Sequence, residues 1–145
     1  MQTILPPSES LTVEFKSDRA GYPDRELIEA LTCLANRAGG ELWLGVEDDA
    51  TPTGLHKKHQ NIIHLTELIA AQTHPALRVT IETYTFDDVT VAQILVPPSR
   101  VYIATFEGLY LQRRIKPDGT PECIHFEPDS DSLSVVDQAS DISRL

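Results

Sequence analysis

The sequence contains little cysteine and no long apolar run. Its two cysteines, Cys33 and Cys123, lie far apart and form no CxxC pair, so the sequence predicts no disulfide framework and a reducing, cytoplasmic setting. No segment approaches the roughly 20 apolar residues of a membrane-spanning helix, and no basic-then-apolar signal pattern opens the chain. A GxxxxGKS/T phosphate loop is also absent, and we therefore predict no ATPase or helicase activity within these residues.

Positive charge is also scarce, because 12 lysines and arginines face 22 acidic residues and give a net charge of −10. Segment 127–145 carries five acids and one arginine, which contribute −4 of this charge. An acidic body excludes simple electrostatic wrapping of nucleic acid, whose binding depends on neutralising phosphates. Any nucleic-acid contact must therefore use a local basic patch or bridging cations.

The chain is predicted to form one domain over 9–126, after an extended lead-in over 1–8 and before an acidic polar tail or linker over 127–145. Apolar periodicity and turn residues predict its elements. They are strand 11–16, helix 24–38, strand 41–46, helix 60–73, a hairpin of 77–86 with 89–96, and a second hairpin of 101–106 with 109–115. This order predicts a two-layer α/β (α+β) sandwich, with both helices on one face of the sheet and the opposite face open to a ligand.

Three acidic residues could form a site. Polar and apolar residues alternate over 11–16, so Glu14 is predicted to point away from the core, on the uncovered face. Glu9 precedes this strand and can fold back towards Glu14. Asp48 follows strand 41–46, which a right-handed crossover would place beside strand 11–16. Converging carboxylates of this kind suit Mg²⁺ or Mn²⁺, which can polarise a phosphodiester and activate water.

A plainer interpretation of the same acids stays open. Glu9 and Asp48 would then be solvated loop residues, and Glu14 would pair with Lys16 or Arg19, because charged side chains in loops are commonly exposed.

Basic residues gather at the end of the last predicted strand, at Arg113, Arg114 and Lys116, and a second pair lies at Lys57 and Lys58. Aromatic residues on the same hairpin could stack bases while the basic groups follow a nucleic-acid backbone. The alternative is a solvated hairpin tip.

Three histidines, His56, His59 and His64, fall within nine residues. A zinc site needs a fourth ligand at suitable spacing, which the sequence does not offer. We therefore predict that these histidines lie on the surface.

Several segments together resemble one known family. In order, the chain has ES at 9–10, VEFK at 13–16, LAN at 34–36, GG at 39–40, LWLGVEDD at 42–49 and GL at 54–55. VPPS at 96–99 and LYLQR at 109–113 follow. This signature, over about residues 8–116, resembles the Schlafen AlbA_2 domain, also called the divergent AAA_4 domain.

The resemblance implies an Alba-like β-α-β-α-β-β core with an additional C-terminal β-hairpin. It also implies a nucleic-acid-binding domain, with DNA as the first expectation and no required cofactor, at the N-terminus of a transcriptional regulator or a RecG-related helicase-like protein. Further domains would then follow at the C-terminus of the full-length protein. Some relatives carry an ATP-binding label. The expected contacts are Lys16, Arg113, Arg114 and Lys116, together with Lys57 and Lys58.

Two alternative functions follow from the same residues. In animal Schlafen proteins two such lobes form a ribonuclease with three acids, which Glu9, Glu14 and Asp48 match, so a Mg- or Mn-dependent endoribonuclease is the first alternative. A homodimer could supply the second lobe.

Ala50 replaces a glycine that is usual in the family, and the segment after Arg113 also departs from its pattern. The second alternative is a protein-interaction or assembly module, which the acidic balance favours.

Overall fold

A computed structural model describes residues 5–128 of the chain, so most of the predicted tail lies outside the described residues. Two helices and eight strands are found within this range. They are β1 (Val13–Lys16), α1 (Asp24–Ala35), β2 (Gly40–Leu44), α2 (Ile62–Ala71), β3 (Thr73–His74), β4 (Thr80–Phe86), β5 (Val89–Val96), β6 (Ala104–Thr105), β7 (Leu111–Ile115) and β8 (Pro121–His125). A short 3₁₀ turn, Lys57–His59, precedes α2.

The central sheet has four strands in the order β1-β2-β5-β4. β1 and β2 run parallel, whereas β2–β5 and β5–β4 are antiparallel pairs. A parallel pair needs a crossover connection, and α1 supplies it. β4 and β5 form the predicted hairpin, whose turn residues Asp87 and Asp88 adopt positive φ angles of 48° and 68°, as a two-residue type I′ turn requires.

Both helices cover one face of this sheet, which confirms the predicted two-layer sandwich. Leu27, Leu31 and Leu34 of α1 join Leu65 and Ile69 of α2 in one core cluster with the inward residues of β2 and β5. The opposite face is not open as predicted, because it carries a second, smaller apolar cluster of Phe15, Trp43, Val46 and Val91. The sheet is therefore apolar on both faces.

Two glycines let β2 begin directly after α1. Gly39 and Gly40 have φ angles of 73° and 147°, which side chains with a Cβ rarely adopt. A Cβ at Gly40 would lie 2.2 Å from the carbonyl oxygen of Thr12. Glycine is therefore required where β2 approaches the chain just before β1.

The second hairpin lies at different residues from those predicted. β6 pairs with β3, and β7 pairs with β8 around a turn at 116–120. Between 101–106 and 109–115 the sole bridge among the described residues is Ala104 to Tyr110. The side chain of Asn36 explains this, because it donates to the carbonyl oxygens of both Ile103 and Leu111, at 2.9 and 2.8 Å. These two segments therefore contact each other only around the turn at 105–109, and farther from that turn both bond to Asn36.

A disulfide joins Cys33 in α1 to Cys123 in β8, 90 residues apart. The prediction of no disulfide was wrong, because sequence spacing does not reveal that β8 returns to α1. Neither helix within residues 5–128 is long and apolar enough to cross a membrane.

Candidate functional site

Glu14 and Lys16 lie on the helix-bearing side of the sheet, opposite to the prediction. In the β1–β2 register Glu14 faces Leu42 and Lys16 faces Leu44, and both leucines belong to the core beneath the helices. Phe15 instead joins the cluster on the other face. The alternation of β1 was correctly identified, but its apolar residues pack on the second cluster, so its polar residues point towards the margin of α1.

Arg113 of β7 is buried, with 2% of its surface exposed. Its guanidinium donates to the carboxylate of Glu14, to the carbonyl oxygen of Ser10 at 3.0 and 2.7 Å, and to that of Val13 at 2.8 Å. The side chain therefore neutralises Glu14 and caps the outer edge of β1. These contacts occupy Arg113, which was predicted to bind nucleic acid, and make it a positioning residue in this arrangement.

Glu9 folds back onto β1, as the sequence analysis expected. Its Oε1 accepts a hydrogen bond from the backbone N–H of Phe15 at 3.3 Å. Burial, followed by the charge of Glu14 and a hydrogen bond between the two carboxyl groups, raises the pKa of Glu9 to about 7, and Asp48 adds a smaller repulsion. Glu9 therefore exchanges a proton close to neutral pH, whereas an ordinary glutamate is ionised there.

Glu9, Glu14 and Asp48 line one open pocket of about 590 Å³ between β1 and the β7–β8 hairpin. Lys16 and Lys116 line it as well, together with Glu122. With Arg113, the lining residues thus comprise four acids and three bases. When Glu9 holds its proton the formal charge of these groups balances, and when Glu9 is ionised the pocket is negative by one charge.

The acids of this pocket do not form a metal-ligand set in the structure. Within residues 5–128 no three His, Cys, Asp or Glu side chains are arranged to hold a metal ion. The two oxygens of Glu14 already contact Arg113 and the ammonium of Lys16, the latter at 3.7 Å. The plainer alternative, a Glu14–Lys16 pair, is thus present alongside the convergence of the three acids.

The basic residues predicted to contact nucleic acid divide into two groups. Lys16 and Lys116 line the pocket, and Arg114 lies exposed beside it on β7. Arg114 forms an ion pair with Glu122, and Lys116 lies 4.0 Å from Asp118. Lys57 and Lys58 are exposed on the 3₁₀ turn before α2 and do not line this pocket.

His59 is buried, which makes the prediction of a surface histidine wrong for this residue. Its Nδ1 lies 2.9 Å from both carboxylate oxygens of Asp18, and its Nε2 lies 2.8 Å from Asp24. Burial alone would lower its pKa, but the two carboxylates raise it overall. His59 contacts a carboxylate through each ring nitrogen and therefore fixes the 3₁₀ turn to the loop before α1 and to the first residue of α1, which is a structural role.

Sequence reasoning missed two residues that build the site. Asn36 is fully buried, and besides its side-chain contacts its backbone oxygen accepts from Gln112 at 2.7 Å, so it positions β7. Cys123, joined to α1, is also part of the pocket wall. The sequence signal for Asn36 was a polar asparagine at the end of an otherwise apolar helix. A buried amide needs several hydrogen-bond partners, so such a residue is expected to bond to other segments of the chain.

Comparisons with known proteins show which family and which folds the chain is similar to. A family model described as "Schlafen, AlbA_2" matches residues 9–116. The fold is similar to the DIP2311 protein from Corynebacterium diphtheriae, with 20% identity and a TM-score of 0.65, over 81% of this chain and 25% of that one. It is also similar to the N-terminal domain of a RecG-related protein from Nitrosomonas europaea, with 25% identity and a TM-score of 0.50, over 63% of this chain and 65% of that one.

The chain thus spans a quarter of the length of the first structure and less than two thirds of the second. No curated protein matches the sequence.

Proposed function

Because the chain belongs to the Schlafen AlbA_2 family, we propose that it is a nucleic-acid-binding domain, with DNA as its ligand, in a regulatory or helicase-related protein. The name of the Nitrosomonas protein refers to an ATP-dependent DNA helicase, and this supports DNA over RNA. A cytoplasmic location is part of the same proposal.

The observation that carries the proposal is the pocket between β1 and the β7–β8 hairpin. Lys16 and Lys116 reach it from its two sides, and Arg114 lies exposed on β7 next to it. Each of these groups has an acidic neighbour, Glu14, Asp118 and Glu122 respectively. The pairs of Arg114 and Lys116 are exposed and therefore weak, so a phosphate can replace their carboxylates at small cost. Glu14 is buried and keeps its ion pair with Arg113 when Lys16 turns to a phosphate.

The contacts proposed here are therefore Lys16, Arg114 and Lys116. Arg113 acts indirectly, by neutralising Glu14 and holding β7 against β1. Lys57 and Lys58 are left out of the contact surface because they do not line the pocket. The acidic remainder of the body would then restrict binding to this one surface and make it sensitive to salt.

A salt titration tests the proposal. Binding of a fluorescent DNA duplex is measured by anisotropy over a range of salt concentrations, for the parent chain and for the double variant Lys16→Ala/Lys116→Ala. Losing two phosphate contacts should reduce the slope of log K against log salt by about two.

The double variant Lys57→Ala/Lys58→Ala is a matched control, because it removes the same charge from a different surface. Its slope should equal that of the parent chain. An equal reduction of the salt slope in the two double variants would refute the proposed surface. So would the absence of DNA binding by the parent chain at about 50 mM salt.

A second candidate is a Mg- or Mn-dependent endoribonuclease that uses Glu9, Glu14 and Asp48. The observation in its favour is that the three acids line one pocket, where burial, followed by repulsion from Glu14 and, to a smaller extent, from Asp48, raises the pKa of Glu9 to about 7. A cation would relieve that repulsion. The absence of a three-residue ligand set within residues 5–128 counts against it, and we derive no catalytic step through a metal.

Incubation with transfer RNA, with and without Mn²⁺, separates the two candidates. Glu9→Gln and Asp48→Asn are the informative variants, because neither leaves Arg113 without its buried partner. If the nuclease proposal is correct, the parent cleaves only with the metal and both variants lose most of that rate. Cleavage by the variants at the parent rate would refute the nuclease proposal. That result would leave the DNA-binding proposal standing.

A further inference from the structure

The far edge of the central sheet is an unpaired strand. β4 ends the strand order, and its seven residues pair with β5 without interruption from Thr80 opposite Leu95 to Phe86 opposite Val89. Within the described part of the chain, the backbone of 80–86 makes no other hydrogen bond. β4 therefore presents a regular, unbulged edge.

The turn geometry identifies which backbone groups of β4 point outwards. In a two-residue hairpin the residues that flank the turn, here Phe86 and Val89, form a hydrogen-bonded pair. Bonding alternates along the strand, so the N–H and C=O groups of Ile81, Thr83 and Thr85 point away from β5. The carbonyl oxygen of Thr90, opposite Thr85, bonds to Leu55 and not to β4, which agrees with this alternation.

This edge lacks the features that usually prevent strand pairing. Its sequence, TIETYTF, contains no proline or lysine and one acid, Glu82, whereas exposed edges are commonly blocked by such residues or by bulges. The edge is also exposed at Thr80, Glu82, Thr83 and Thr85, and Thr83 borders an open pocket of about 650 Å³ that separates it from Gln60 and Ile62.

We propose that β4 is a homodimerisation edge, and that it pairs antiparallel with β4 of a second copy so that Thr83 lies opposite Thr83. Both copies offer the same three outward residues. In this register Ile81 lies opposite Thr85 of the second copy, Thr83 opposite itself, and Thr85 opposite Ile81. The four-stranded sheet would thereby extend into a continuous sheet of eight strands.

Charge selects this register over its neighbours. Centring the pair on Thr83 places Glu82 opposite Tyr84, and just beyond the paired strands it brings Arg78 to the hairpin turn of the second copy, near Asp88. Arg78 and Asp88 are both exposed, and neither belongs to an ion pair among residues 5–128. Centring on Glu82 would set two glutamates directly opposite each other, which destabilises a sheet. Centring on Tyr84 would shorten the overlap of the two strands and carry Arg78 past the end of the second copy's hairpin.

Cysteine crosslinking reads out this register directly. Hydrogen-bonded antiparallel partners have Cα atoms about 5.5 Å apart, which suits a disulfide. Thr83→Cys should therefore form a disulfide-linked dimer under mild oxidation. Thr85→Cys is the matched control, because two copies of residue 85 would lie about 13 Å apart. Both threonines are exposed, and neither native cysteine is free.

The expected result is at least about tenfold more crosslinked dimer for Thr83→Cys than for Thr85→Cys at equal times. Equal crosslinking of the two variants, or none of either, would overturn the proposed pairing.

Light scattering of the unmodified chain supplies the second measurement. Its mass should rise with concentration from 16.1 kDa towards twice that value. Thr83→Pro should remain monomeric, because proline removes the central outward N–H without touching the β5 pairing. Thr83→Ala keeps that N–H and should still dimerise. A constant monomer mass for the parent up to about 500 µM would refute the proposal. Both experiments omit nucleic acid, so their outcome is independent of whether the pocket binds DNA.

Discussion

The two edges of the central sheet differ in how their backbone groups are satisfied. At the β1 edge the guanidinium of Arg113, which the β7–β8 hairpin carries, bonds to the carbonyl oxygens of Ser10 and Val13. At the β4 edge the outward groups have no partner within residues 5–128. The closed edge concentrates charged side chains in a pocket, and the open edge offers unpaired backbone groups and a single charged residue, Glu82. The same sheet thus has one edge suited to a charged ligand and one suited to another strand.

Removing Arg113 should have the largest effect on this contrast. Arg113→Ala leaves the buried Glu14 with Lys16 alone as a charged partner and uncaps the edge of β1, so the free energy of unfolding should fall by about 3–5 kcal/mol. Urea denaturation measures it. The neighbouring Arg114→Ala removes an exposed ion pair and should change the same quantity by less than about 1 kcal/mol. Similar losses in the two variants would show that Arg113 does not hold the edge closed.

Breaking the Cys33–Cys123 disulfide should have the next largest effect, because it is the covalent tie between the hairpin and α1. A bond that closes a loop of this length typically stabilises a protein by about 2–4 kcal/mol. Thermal unfolding with and without a dithiol reductant measures the loss. Hydrogen exchange should then quicken in β7 and β8 and stay unchanged in β4. Uniform quickening across the sheet would contradict a local role for this bond.

The fold was largely predictable because local signals and tertiary packing agree there. β5 was predicted with its observed bounds, 89–96, and the order of helices and strands follows from apolar periodicity. The second hairpin was not predicted correctly, since the path of its strands depends on Asn36, which lies about 70 residues earlier in the chain.

At the site, sequence could place Glu9, Glu14 and Asp48 near one another but could not show what neutralises them. The burial of Arg113 depends on β7 crossing the edge of β1, and the direction of Glu14 depends on which face Phe15 packs against. The burial of Arg113 and the direction of Glu14 are both set by tertiary packing, which leaves no signal in the local sequence. The same limit hid the contact between Cys33 and Cys123.

Glu9 should give the pocket edge a pH-dependent stability. Its pKa is about 7 in the folded chain, against an ordinary value of 4.5. Between these values the folded state binds more protons than the unfolded state, so the contribution of Glu9 to stability falls as pH rises from about 4.5 to about 7. Glu9→Gln should remove this fall.

Melting temperatures at pH 5 and pH 8 test this prediction for the parent chain and for Glu9→Gln. The parent should lose more stability than the variant over this interval. Identical changes in the two proteins would mean that Glu9 is not held beside Glu14 as the structure has it.

The smallest effect on the stability of the single chain is expected at the open edge. Thr83→Pro removes an outward N–H that bonds to nothing within residues 5–128, so the monomer should lose less than about 1 kcal/mol. Chemical denaturation at low protein concentration measures this value. A loss comparable to that of Arg113→Ala would mean that β4 is not a free edge.

Hydrogen exchange with and without a DNA duplex, at fixed low protein concentration, tests the central claim most directly because it compares the two edges in one experiment. Bound DNA should slow exchange in β1 and in the hairpin over 111–125, with no change in β4. Protection confined to β4, or equal protection at both edges, would contradict the assignment of the nucleic-acid surface to the Arg113 side of the sheet.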